Sequence, residues 1–327
     1  MRLASKFHIV CAFAVFSIIL SSLFLGSQRF AYRRVGAADQ PIVDFQAAAF
    51  PDHRLVVFGD TWSDNNAKEV QGGRIWTDWL CSSFSCHLEN FAQTAKSLRG
   101  TYLGSVVEND KLSGAVGILY KSPVADFKTQ VKQWLAAEAK AVQNLGENAI
   151  HDRHNRTVLV VSFGVWDLWN MIERNYETAT KSVDYSVEVI MEQLDMLSEN
   201  WGSDDLKIIL TLVPDAVKLV AHWNRKVKGA VEKWGKGTIY LFDTETFLVD
   251  IIRDRQLYLV GIEESNGLGR NQDPGWENVE DACVESKQQW VVTSESKRCE
   301  NPDKYLFWNE MHLGPSAHRL MGTEVWH

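Results

Sequence analysis

TVLVVSF, Thr157 to Phe163, is a short run that is apolar at both odd and even positions, rich in β-branched residues and stopped by Gly164. Such a run reads as a strand buried on both faces rather than as a helix. The same pattern recurs on either side of it: LVVF (Leu55 to Phe58), ending at Gly59-Asp60; His87 to Ala92; KIILTLV (Lys207 to Val213), stopped by Pro214; and Thr238 to Phe242. Between these runs the apolar residues change to helical spacing. Val131, Trp134, Leu135 and Val142 mark one helix within Phe127 to Leu145, and Val187, Ile190, Leu194 and Leu197 mark another within Val183 to Trp201. Ile75 to Cys81, Ala216 to Trp234, Glu245 to Arg253 and Gly314 to Gly322 suit further helices.

Strands alternating with helices predict an α/β fold with a five-stranded parallel sheet covered on both faces, a three-layer α/β/α domain of flavodoxin-like type. Ligands in such sheets bind at the carboxyl ends of the strands. That rule lines up Gly59 to Trp62, Asn90 to Ala95 and Gly164 to Asp167 along one edge. Gly261 to Tyr305 reads as a long stapled loop. His151-Asp152-Arg153-His154 reads as a solvated loop before the third strand, and no metal or cofactor is expected there or elsewhere.

The 327 residues carry 34 basic and 42 acidic side chains, a net charge of −8. The first 34 residues hold five bases and no acid, so the remainder is near −13. Phosphate contacts need clustered bases, so nucleic acid is not an expected partner. Ile9 to Leu25 is an uncharged apolar run close to the N-terminus. Residues 1–26 read as a signal anchor or a signal peptide, 27–50 as a stalk and 51–327 as the folded body. The anchor is favoured because no small-residue cleavage site follows closely, and it would tie the chain to a membrane through the N-terminal helix. Cys11 lies in the apolar run. The other four cysteines, Cys81, Cys86, Cys283 and Cys299, form an even set, expected as two disulfides. Three pairings exist, and the local ones, Cys81 with Cys86 and Cys283 with Cys299, are favoured. Asn155-Arg156-Thr157 is a glycosylation sequon. Together these features predict a lumenal or extracellular body, membrane-anchored or secreted.

Four segments carry a resemblance. VVFGDTWSDN (Val56 to Asn65), NFAQTA (Asn90 to Ala95), SFGVWDLW (Ser162 to Trp169) and FWNEMHLGPSAHRLMG (Phe307 to Gly322) resemble, in order, the four blocks of the SGNH or GDSL hydrolases. The nearest likeness is to a fungal branch of acylhydrolase-like proteins with Trp in the third block. The resemblance implies an ester hydrolase acting on an acylated carbohydrate or lipid, with Thr61 at the nucleophile position, Asp60 supporting its turn, and His312 as base. Asn309 would stand where a carboxylate orients that base, and Ala95, Gly164 and Trp166 would lie around the oxyanion. The departures fall on the chemistry: Thr61 for Ser, Ala95 for Gly, Trp166 for Asn and Asn309 for Asp. Threonine's extra methyl crowds the attacking face. Loss of an oxyanion donor costs about 10²–10³ in rate, and loss of the orienting carboxylate about 10⁴ in the serine-protease template. The site is therefore degenerate, and a non-catalytic glycan- or protein-binding descendant is the alternative. Ser63 reads as a helix cap, with a substitute nucleophile as the other possibility. Trp62, Trp166, Trp169 and Trp308 all fall in these segments; each by itself reads as core, and the four together near one sheet edge suggest a groove whose aromatic faces could stack on sugars.

Overall fold

The computed structural model describes residues 32–34, 53–68, 71–97, 102–109, 124–172, 174–202, 205–214, 218–262, 275–285 and 297–327. In chain order the main strands begin with β1 (His53–Gly59) and β2 (Cys86–Asn90). A short antiparallel pair follows, β3 (Thr94–Ser97) and β4 (Tyr102–Gly104). Then come β5 (Thr157–Ser162), β6 (Lys207–Thr211) and β7 (Thr238–Phe242). The large sheet has the order β2-β1-β5-β6-β7 and every pairing in it is parallel. This is an α/β fold with a flavodoxin-like strand order, and its switch point lies between β1 and β5.

Among the described residues the α-helices are α1 (Trp76–Ser83), α2 (Phe127–Val142), α3 (Glu147–Asn155), α4 (Val165–Trp169), α5 (Tyr176–Trp201), α6 (Lys218–Val231), α7 (Thr244–Leu259) and α8 (Pro315–Trp326). The two-residue period of the strands divides the core. Val56, Phe58, Leu159 and Val161 point into one layer with residues of α2, α5 and α6. Leu55, Val57 and Val160 point into the other with residues of α1, α7 and α8. Each such side chain is fully or almost fully buried, a contribution of about 1.5–3 kcal/mol apiece. Asp126, Asn175 and Asp243 cap the starts of α2, α5 and α7 by accepting from the backbone three residues on.

At the amino ends of the strands lies a buried ion-pair network. Arg54 of β1 bonds Glu89 of β2 at 2.7 Å and Glu138 of α2 at 2.9 Å, while Arg153 of α3 bonds Glu138 at 2.7 Å. The segment His151 to His154 is therefore not a solvated loop. It is the end of α3, with Arg153 on Glu138 and the His154 ring stacked on Trp201 at 4.2 Å. The stretch between Gly261 and Tyr305 is also more than a loop. Within it β8 (Asn278–Ala282) pairs in parallel with β9 (Tyr305–Asn309), which turns back antiparallel into β10 (His312–Leu313). Burial of Val279, Leu306 and Leu313 in the α1–α7–α8 layer holds this small sheet to the body.

Both local disulfides are present, Cys81–Cys86 and Cys283–Cys299. Such bonds persist in oxidising, extracellular or lumenal surroundings. Among the described residues no helix is long and apolar enough to cross a membrane. The run from Ile9 to Leu25 lies outside the described residues. Within 27–50 only Tyr32–Arg34 is described, as a short strand antiparallel to β3.

Candidate functional site

The centre is built at the carboxyl end of β1. Gln130, projecting from α2, accepts from the Gly59 N–H at 2.9 Å and donates to the Gly59 carbonyl at 3.0 Å, which fixes the last residue of the strand. Asp60 then turns the chain by accepting from the Trp62 N–H at 3.0 Å. Burial pushes the Asp60 carboxyl up to about 8, the Trp62 bond opposes this, and the neighbouring Asp167 adds to it. Asp167 is itself pushed up to about 7 by burial, although its Oδ1 accepts from the Val107 N–H at 3.0 Å. Both acids are near neutrality in the folded chain.

Thr61 is wholly buried. Its carbonyl accepts from Gln71, and its hydroxyl oxygen accepts from the indole N–H of Trp166 at 2.8 Å. Trp166 comes from α4, directly after β5. Gly164, the N-cap of α4, has φ +124°, and a Cβ there would lie 2.5 Å from Val213 Cγ2. The indole reaches Thr61 by lying against Gly104 of β4, where a Cβ would be 2.2 Å from its Nε1. The third block thus keeps a hydrogen-bond donor beside Thr61, but spends it on the hydroxyl.

Asn309 and His312 are register partners across the β9–β10 turn. The Asn309 Oδ1 accepts from the Met311 N–H at 2.9 Å and lies 2.9 Å from His312 Nδ1. Because a backbone donor fixes which end of the amide is oxygen, Nδ1 is the imidazole nitrogen that carries hydrogen. Asn309 therefore fixes the orientation and the tautomer of the His312 ring. His312 is 2% exposed, and burial lowers its pKa to about 3. The first and fourth blocks meet through Trp62, whose indole N–H donates to the Met311 carbonyl at 2.7 Å.

The second block ties in through Asn90, which donates to the Ser63 carbonyl at 2.6 Å and accepts from the Ala92 N–H at 2.9 Å. Ala95 is buried in β3, opposite Leu103 of β4. Ser63 does not cap a helix, since α1 starts only at Trp76 with Ile75 as N-cap. The Ser63 hydroxyl instead accepts from Trp76 Nε1 at 3.3 Å. Asn155 ends α3, half-buried, its amide 2.9 Å from His151 Nε2. Of the four tryptophans, Trp166 and Trp308 are core and Trp62 is partly buried. Trp169 alone is exposed, at 51%, with Ile172 and Tyr176 exposed beside it in the chain. A cavity of about 10 Å³ lies against Asp60 at the ends of β1, β5 and β6, walled partly by Ser162, Thr211 and Thr244, and is room for one water.

Gln130 lies outside all four motif segments, while Asp167 and His318 lie inside the third and fourth without a role assigned to them. Gln130, Asp167 and His318 are fully buried. Gln130 and His318 occupy positions on the buried stripes of their helices, and a polar residue on an apolar stripe is the signal that marks them. The pKa of His318 too falls to about 3, mainly through burial, with a smaller lowering from His312.

No model of a known protein family matches this chain. No curated protein matches it either.

Proposed function

We propose that this chain is a relative of the SGNH/GDSL-type ester hydrolases whose acyl-transfer centre has become a closed polar core, and that it binds a glycan without hydrolysing it. The observation that carries this reading is the Trp166 indole N–H directed at the Thr61 hydroxyl oxygen at 2.8 Å. A nucleophilic hydroxyl needs a base to take its proton and an oxygen free to attack. A donor on that oxygen draws electron density away and occupies the attacking side. Complete burial of Thr61 then leaves no approach for an acyl group, and a base held near pKa 3 lies far from the range that favours proton transfer at neutral pH. The family reading is supported by contacts between blocks far apart in sequence, Thr61 with Trp166 and Trp62 with Met311. Exposed Trp169 and Tyr176, after the end of β5, offer aromatic faces for sugar rings. The two disulfides support a lumenal or extracellular body, with residues 1–26 as its anchor or signal peptide.

The second reading is a weak ester hydrolase acting on an acylated carbohydrate or lipid. The His312–Asn309 pair favours it, because the imidazole keeps the tautomer of a base. Fluorophosphonate labelling and p-nitrophenyl acetate turnover separate the two. The unaltered chain should neither label at Thr61 nor show turnover that His312→Ala removes. The combined Thr61→Ser, Trp166→Asn and Asn309→Asp variant, which restores nucleophile, oxyanion donor and charge, should gain labelling at position 61. Turnover by the unaltered chain that disappears in His312→Ala would establish the hydrolase instead.

A further inference from the structure

We propose that the cleft between α1 and α8 is a binding site for a small carboxylate- or phosphate-bearing molecule, a function separate from the Thr61 centre and sharing no residue with it. The cleft has a volume of about 330 Å³ and is lined by Arg74, Trp79, Asp303, Pro315, Ser316 and Arg319. That is the size of pockets that take small ligands. Two of its walls are cationic and one is anionic, in a chain whose overall charge is −8.

Arg74 is the element that points to an anion. Its guanidinium lies over the Trp79 ring, 4.0 Å from the centroid. Its Nη2 donates to the Asp78 carbonyl at 2.9 Å and to Ser82 Oγ at 2.5 Å. Both bonds use the same terminal nitrogen, so Nε and Nη1 have no acceptor among the described residues. A guanidinium held over an aromatic face and by two bonds of one nitrogen, with its other N–H groups facing no described acceptor, has already lost part of the freedom that ligand binding would cost it. Charge-assisted bonds to carboxylate or phosphate oxygens are the strong ones such a group forms.

Arg319 brings a second cation from α8. The start of α8 adds to the field: Pro315 stands at its first position, and its N-cap, Gly314, supplies no side-chain acceptor to the first-turn amides. The positive end of that helix therefore borders the cleft without a side-chain cap. Asp303, also in the lining, would repel an anion and attract a hydroxyl, which favours a ligand carrying both, such as an acidic sugar.

The test is calorimetric titration of the purified chain, at low salt, with inorganic phosphate, glucuronate and glucose. At least one of the two anions should bind at one site per chain, and glucose should not. The stronger anion identifies whether phosphate or carboxylate is the natural headgroup. Arg74→Gln should weaken that binding by about tenfold or more, and Arg74→Lys should fall between, because an ammonium keeps the charge and loses the planar fork. Arg74 is exposed, so its substitution leaves the core untouched, and an unchanged melting temperature would verify this. Absence of saturable binding by both anions would overturn the proposal. So would anion binding unchanged in Arg74→Gln, or glucose binding equal to that of glucuronate.

Discussion

Gly104 and Trp166 are matched to each other. A Cβ on residue 104 would sit 2.2 Å from the indole Nε1 and Cδ1, so the indole reaches Thr61 only because residue 104 has no side chain. Gly104→Ala should force the ring off its rotamer and break the Trp166–Thr61 bond, costing about 1–3 kcal/mol as overpacking in a filled interior. Adding Trp166→Asn removes the ring that clashes, so the alanine should then cost much less. Urea unfolding of the two single variants and the double variant measures the coupling. A coupling energy of at least about 0.5 kcal/mol, favouring the double variant, is expected of residues in contact. Strict additivity would mean that the ring moves aside freely and that the closure of Thr61 does not depend on Gly104.

Between elements, the amino-end network does a different task. Arg54, Glu89, Glu138 and Arg153 join β1, β2, α2 and α3 through buried charges that balance two against two. Burial alone would raise the Glu138 pKa, but bonds and charge from Arg153 and Arg54 outweigh it and hold the carboxyl at about 2. Glu138→Ala removes the carboxylate that Arg54 and Arg153 share and leaves Glu89 paired with Arg54 alone. A loss of about 3–5 kcal/mol follows from stranding a buried charge, readable as a lowered urea midpoint. A loss below about 1 kcal/mol, the value of an exposed pair, would show that water reaches the cluster. The same elements show what the sequence makes legible. The sheet strands announce themselves because both faces are apolar, as in TVLVVSF. The helix α3 does not, because ENAIHDRHN buries an arginine and a histidine, which a hydropathy pattern counts as solvent-facing. Strand β8 does not either, since only Val279 of NVEDA is buried.

At the scale of the whole molecule, alternation of strands and helices predicts that the first and third segments share one sheet edge, and the structure brings Thr61 to Trp166 and, from the fourth segment, Met311 to Trp62. The closed state of the centre was not legible, because it depends on a hydrogen-bond direction and on Gly104, which belongs to no block. That closure has a cost visible in titration. Asp60, Asp64, Asp167, His312 and His318 are all buried near one edge and all favour their neutral forms. The two histidines, lowered from 6.5 to about 3, contribute stability that is present above pH 6.5 and lost as the pH falls toward 3. The aspartates are raised from 3.8, Asp64 to about 6, Asp167 to about 7 and Asp60 to about 8. Their contribution is present below pH 3.8 and is lost as the pH rises through those values. Between pH 3.8 and 6 the three aspartates act against the two histidines, which leaves a net decline of about 1.4 kcal/mol per pH unit. Above pH 6.5 the histidines are neutral in both states, so the aspartates alone set the slope. Stability should therefore fall from pH 6.5 to 8 by about 2 kcal/mol through Asp60, at about 1.4 kcal/mol per pH unit. Asp60→Asn keeps an oxygen for the Trp62 N–H and removes the titration. Urea unfolding at pH 6.5 and 8 should show the decline in the unaltered chain and most of it gone in the variant. An equal decline in both would place the responsible proton elsewhere and show that Asp60 is ionised in the folded chain.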